Sequence, residues 1–311
     1  MKAWRGFKVG VWQSAINVRD FIQQNYSPYT GDGGFLAGPT ARTQTLWTKC
    51  LELLKQERAK GGVLDVDYTK VSAITSHAPG YIDPESEVIV GLQTDAPLKR
   101  SVIVNGGVRM AEQACEAYGY KLDPAISAIY HNHCTTHNDA VFKVYTEEMK
   151  QARRLGIITG LPDAYGRGRI IGDYRRIALY GIDRLIEAKQ ADLATAAGQQ
   201  SDENMVRMRE EVTSQIEALK DMALMAKSYG YDISKPANNA REAVQFVYFG
   251  YLAAIKEQNG AAMSLGRISS FLDVYIERDL AEKSINEAEA QELIDCLVIK
   301  LRMARHLRTP D

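Results

Sequence analysis

The sequence predicts a mostly helical chain with a few short strands, and three observations carry that expectation. Met205, Met208, Val212, Ile216, Leu219, Ala223 and Ala226 recur at helical spacing, which turns one face of a helix toward a core. Residues 238–258 are apolar nearly all round, the pattern of a helix buried on most sides. Strand-like runs are short and confined to residues 63–68, 88–92 and 102–104.

In chain order, residues 1–40 read as short helical pieces and turns, with a loop at Thr30-Gly31-Asp32-Gly33-Gly34. Residues 43–59 read as an amphipathic helix with Leu46, Leu51, Leu53 and Leu54 inward. Residues 61–110 hold short strands or irregular segments, and the apolar run Val102-Ile103-Val104 ends at Asn105-Gly106-Gly107. Helices are expected over 109–118 and 140–155, and a long one over 173–196. The small, polar stretch 194–202 reads as a surface loop. The helix that follows should end at a Gly230 cap. For the last helix, Asn286 and Glu289 are spaced as a cap and its N3 partner. Its Leu293, Ile294, Leu297, Val298 and Leu301 form one apolar stripe, and Arg302, Arg305 and Arg308 lie late, as the helix dipole favours. No repeat or linker divides the chain, so residues 1–311 read as one unit.

Composition excludes several classes. The chain is 45% hydrophobic and 25% charged, ordinary for a soluble domain. A net charge of −1 argues against nucleic-acid binding, which wants a basic surface. Cys50, Cys115, Cys134 and Cys296 are isolated from one another, which fits a reducing cytoplasm rather than a disulfide framework. The N-terminus has no apolar signal-peptide core, and no run approaches the ~18 apolar residues of a membrane span.

The densest chemistry lies at residues 159–176, where four glycines, four arginines, two tyrosines, two aspartates and a proline share eighteen positions. Glycine lets backbone approach a ligand closely, and arginine grips a carboxylate or phosphate with a planar fork. The run describes a cationic, anion-reading loop leading into a helix. From the loop alone, Arg169 is equally well an ion-pair partner of Asp163 or Asp173. Two of Arg167, Arg175 and Arg176 should fix the loop or the helix through Asp173 and Asp183. The glycine spacing is not the dinucleotide fingerprint. His131, His133, Cys134 and His137 fall within seven residues; ligands this close rarely close a tetrahedron, so the segment reads as a solvated loop and no metal is expected.

The arginine run resembles, nearly residue for residue, the signature of the pyruvate formate-lyase (formate C-acetyltransferase) family of glycyl-radical enzymes. The resemblance continues through Asn17–Gln23, Phe35-Leu36-Ala37-Gly38, Ile74-Thr75-Ser76-His77, Val90–Thr94, Ala96–Arg100, Tyr229–Ser234, Asn259–Ser264, Phe271–Asp279 and Leu301-Arg302-Met303. It covers essentially the whole chain in order.

This resemblance implies an α/β fold, the mostly helical N-terminal portion of a ten-stranded barrel. The family's reaction would be pyruvate plus coenzyme A giving acetyl-coenzyme A plus formate. A glycyl radical, installed by an S-adenosylmethionine-dependent activating enzyme, would pass to a pair of adjacent cysteines. Neither that pair nor the family's C-terminal radical glycine is found here, so the chain is expected to hold no catalytic residue and to be inactive alone. Arg169 would bind the pyruvate carboxylate and Ala261 its methyl group. His77, Asn138, Phe142, Arg154 and Tyr165 match the family's coenzyme A positions, with Arg305 a further phosphate contact; some relatives carry lysine where Arg154 stands. A homo-oligomer in the cytoplasm is expected, with no nucleic-acid or membrane partner. The alternatives are part of a 2-ketobutyrate formate-lyase, or a short non-catalytic homologue binding a partner chain or coenzyme.

Overall fold

The computed structural model describes residues 4–31, 37–102, 108–133, 145–158, 172–197, 202–257, 264–305 and 307. Among them run α1 (Val18–Asn25), α2 (Ala41–Ala59), β1 (Asp65–Val71), β2 (Lys99–Val102), α3 (Val108–Ala117), α4 (Pro124–His133), α5 (Glu147–Arg154), α6 (Arg175–Ala197), α7 (Glu203–Ser228), α8 (Ala240–Glu257), α9 (Ser269–Ala281) and α10 (Glu287–Met303). The mostly helical expectation therefore holds. The strands β1 and β2 pair in parallel, Asp65 opposite Lys99 and Asp67 opposite Ser101, with an irregularity before Val71 meets Val102. Residues 88–92 are irregular, although Val88, Ile89 and Leu92 are buried.

The main core forms around α8. Ala243, Val244, Val247, Phe249 and Leu252 are fully buried, as the all-round apolar sequence requires. A polar residue in this helix, Gln245, is also fully buried. Its Oε1 accepts from Val90 N–H at 2.8 Å and its Nε2 donates to the Val90 carbonyl at 2.9 Å. The irregular segment 88–92 thus finds on a side chain the partners a strand neighbour would have given it. A satellite core of Val63, Val66, Val102, Ala114, Cys115 and Leu122 covers the strand pair.

Helix ends follow local chemistry. Asn286 and Glu289 form the reciprocal capping box at α10. At the end of α7, Tyr231 N–H reaches back to the Ala226 carbonyl at 3.0 Å, with Gly230 at φ 84°, as expected of that glycine. Four readings need correction. Leu51 is 42% exposed because Cys50 occupies the inward row of α2 with Leu46 and Leu54. Val298 is 57% exposed because the inward row of α10 runs through Leu293, Cys296, Leu297 and Ile299. Helix α6 continues to Ala197, into the stretch read as loop. Helices α4 and α9 were not anticipated as elements.

The long helix over 173–196 is also not continuous. Gly181 has φ 72° and ψ 163° and breaks α6. The segment after α7 inserts there: Ile182 and Asp183 N–H donate to the carbonyls of Ile233 and Ser234 at 2.9 and 3.2 Å, and Ala237 N–H donates to Ala178 at 2.8 Å. A side chain at Gly181 would lie 2.5 Å from the Ser234 carbonyl oxygen. The kink therefore needs both the left-handed φ and the missing Cβ.

Candidate functional site

The turn between β1 and the irregular segment carries His77. Ser76 Oγ accepts from Ala73 N–H at 3.0 Å and closes the turn, and Ile74 N–H donates to Glu257 Oε1 at 2.9 Å, which ties the turn to the last residue of α8. The His77 side chain is 1% exposed. Its Nε2 faces Asp67 Oδ2 at 3.1 Å and its Nδ1 faces Ser76 Oγ at 2.8 Å. Burial, only partly offset by Asp67, and the charge of Lys256 hold the imidazole pKa below the usual histidine range. A neutral ring facing a carboxylate carries its proton on Nε2, which leaves Nδ1 to accept from Ser76. Burial would raise the Asp67 pKa, but hydrogen bonds from Thr69 and the charge of Lys99 outweigh it and lower it.

Arg305 sits just past α10 and is also committed. Its Nε donates to Glu57 Oε1 at 2.8 Å and its Nη2 to Oε2 at 2.9 Å, a two-pronged pair. Its Nη1 donates to the carbonyls of Arg302 and Ala304. Arg100 joins the same carboxylate at 3.1 Å. Burial opposes ionisation of Glu57, yet the two guanidinium groups hold its pKa below the usual carboxylate range. Arg154 lies in the last turn of α5 and is exposed.

Where the arginine-rich run enters α6, Arg175 pairs with Asp173 at 2.6 Å and Arg176 with the same carboxylate at 3.4 Å. These two arginines fix the helix start, as expected. Asp183 instead takes Lys235 at 2.6 Å. A cavity of about 810 Å³ opens between α6, α7 and the end of α8, bordered by Gly172, Tyr174, Arg176, Met222, Gly250 and Glu257.

Arg169, Ala261, Asn138, Phe142 and Tyr165 lie outside the described residues, as do Arg167 and the segment from Cys134 to His137. Of the remaining expected residues, the structure brings His77 to the end of α8, two elements beyond which sequence spacing cannot reach. Arg305 is held by Glu57 and Arg154 is exposed at the end of α5. No group of three metal-ligating side chains occurs among the described residues, and no described helix is long and apolar enough to cross a membrane. Sequence reading missed Asp67, Ser76, Glu57 and Lys256. A buried lysine inside the apolar run 238–258 was the one signal that could have found Lys256.

The pyruvate formate lyase-like family model matches residues 11–311. Formate acetyltransferase 1 of Escherichia coli (strain K12) is 56% identical over 99% of this chain, which spans 41% of that relative's length. Among solved structures, the B12-independent glycerol dehydratase from Clostridium butyricum superposes over 89% of this chain and 41% of its own with a TM-score of 0.65 at 18% identity. A glycyl radical enzyme from Archaeoglobus fulgidus covers 86% of this chain and 39% of its own, with a TM-score of 0.52 at 16% identity. At such identities these two matches establish the fold alone, and that fold is the mostly helical N-terminal portion of the glycyl radical enzyme barrel.

Proposed function

The chain belongs to the pyruvate formate lyase-like family, and from that premise we propose that it forms the substrate-binding portion of a formate acetyltransferase. The supporting observation is 56% identity over 99% of the chain to a formate acetyltransferase. In this reading the activity converts pyruvate and coenzyme A to acetyl-coenzyme A and formate. Arg169 grips the pyruvate carboxylate with a fork that cannot lose its proton. Ala261 leaves room for the methyl group. His77, Asn138, Phe142, Arg154, Tyr165 and Arg305 receive coenzyme A in this reading, His77 and Arg305 each being held by its own carboxylate.

The bond-breaking chemistry belongs to a glycyl radical, supplied when an activating enzyme has acted on the complete catalytic assembly. This chain contributes binding and orientation. Its four cysteines are nowhere adjacent, so the 311-residue polypeptide alone makes no formate. A homo-oligomer in a reducing cytoplasm, under anaerobic fermentation, completes the proposal.

Two measurements test it. Calorimetry on the purified chain should show coenzyme A binding that weakens in Phe142→Ala and Arg154→Ala; no binding by the wild type overturns the assignment. Incubation with activating enzyme, pyruvate and coenzyme A under anoxia should give no formate, and formate above background would refute the division of labour.

A further inference from the structure

An unbroken run of hydrogen bonds leads from β1 to the turn at residues 73–77. Asp67 Oδ1 accepts from Thr69 N–H at 3.0 Å and from Thr69 Oγ1 at 2.7 Å, which fixes the carboxylate. Its Oδ2 takes the proton of His77 Nε2 at 3.1 Å, and His77 Nδ1 faces Ser76 Oγ at 2.8 Å. The His77 side chain is 1% exposed. Ser76 is half-buried, and its neighbours Thr75 and Ala78 are exposed. The ring thus lies behind the turn, and Ser76 is the member of the run that a ligand can reach.

A hydroxyl has one proton and two lone pairs. Ser76 Oγ gives one lone pair to Ala73 N–H at 3.0 Å. Its proton has two acceptors within reach, His77 Nδ1 at 2.8 Å and the Ala73 carbonyl at 3.0 Å. That carbonyl already accepts from Ser76 N–H at 3.2 Å. Nδ1 is enclosed, and among the described residues Ser76 is its one donor. Leaving a buried acceptor unmet costs more than a second bond to a satisfied carbonyl returns, so the proton points at Nδ1. One lone pair of Oγ then stays free.

We propose that Ser76 is a coenzyme-contacting residue and that Asp67 and His77 are its positioning residues, holding the hydroxyl with its proton turned inward and a lone pair turned out. The group it takes is an N–H or O–H donor, such as an amide of the pantetheine arm or the adenine amino group. A phosphate oxygen, itself an acceptor, is turned away. This rests on the reading that the turn carrying His77 lies at the coenzyme site. It gives His77 a part there that an enclosed ring can perform, through Ser76.

Two measurements on the purified chain test it. Nitrogen-resolved NMR without ligand reads the relay. At about pH 7.5 the His77 ring should be neutral with its proton on Nε2. The Nδ1 shift should move to that of a free acceptor in Ser76→Ala and stay in place in Ser76→Thr. Calorimetry with coenzyme A reads the contact. Ser76→Ala should weaken binding about three- to tenfold, the worth of one neutral hydrogen bond. Asp67→Asn should weaken it comparably with Ser76 intact, and adding it to Ser76→Ala should cost nothing more, because both act through one hydroxyl. Should Asp67→Asn fail to fold, Thr69→Val, which loosens the Asp67 carboxylate, takes its place in the cycle. A ring protonated on Nδ1, or an unmoved Nδ1 shift in Ser76→Ala, overturns the relay. Unchanged coenzyme A affinity in Ser76→Ala, or losses that add, overturns the contact while the coenzyme reading stands. No binding by the wild type sinks the coenzyme reading and the contact with it, and the ligand-free spectra still decide the relay.

Discussion

The Gln245 side chain and the Val90 backbone close a two-bond ring, one bond of 2.8 Å and one of 2.9 Å, inside the main core. It is the contact that lets an irregular segment run through apolar surroundings with its polar groups satisfied. Gln245→Leu keeps the volume and removes both partners of Val90. Each orphaned buried backbone group costs about 1–3 kcal/mol, so the loss of stability should be about 2–6 kcal/mol. Urea denaturation measures it, and a loss below about 1 kcal/mol would mean water replaces the amide.

Gly181→Ala should be as damaging, for a different reason. The position has φ 72°, and a Cβ there meets the Ser234 carbonyl oxygen and the Lys235 carbonyl carbon at 2.5 Å. Backbone strain of this kind costs about 1–3 kcal/mol, and the contact is with backbone that cannot rotate away. Thermal melting should show a Tm several degrees below wild type. An unchanged Tm would show that the segment 233–237 is free to move off α6.

The Glu57 carboxylate, held by Arg305 and Arg100, predicts acid sensitivity. Its folded pKa lies below its usual value of 4.5, so the unfolded chain binds more protons in between. The stabilisation is complete above pH 4.5 and is lost as pH falls through the depressed folded value. Glu57→Gln should remove that part of the pH dependence. It should also cost about 1.5–3 kcal/mol at neutral pH, because two half-buried guanidinium groups lose a charged hydrogen-bond partner. Equal stability of wild type and Glu57→Gln at pH 7 would contradict the pairing.

Lys256 predicts the opposite end of the scale. Its folded pKa of about 8 is depressed from 10.5, so the unfolded chain again binds more protons across that interval. Its contribution to stability is greatest above pH 10.5 and is lost as pH falls through about 8. Between pH 7.5 and 9 the wild type should gain stability relative to Lys256→Met, which should start out the more stable of the two. Denaturation curves at both pH values check the slope. Parallel behaviour would mean that the ammonium is solvated.

The sequence by itself determined the helical class, because amphipathic periods and the all-apolar run at 238–258 are local patterns with one physical solution. It also determined the capping box at Asn286 and Glu289 and the Gly230 cap, since both rest on contacts within a few residues. The family was legible in the arginine-rich run and in the ordered matches along the chain, and the 56% identical relative agrees with it. Tertiary structure alone decided which residue of each stripe faces inward. Cys50 rather than Leu51 lies on the core side of α2 because the partner helices fix its rotation. It decided the break at Gly181, where segment 233–237 competes for the α6 hydrogen bonds. It decided, finally, that His77 meets Asp67 and that Glu57 meets Arg305. Pairs such as 67 with 77 and 57 with 305 leave no periodic trace in sequence, because electrostatic interaction depends on distance in space and not along the chain.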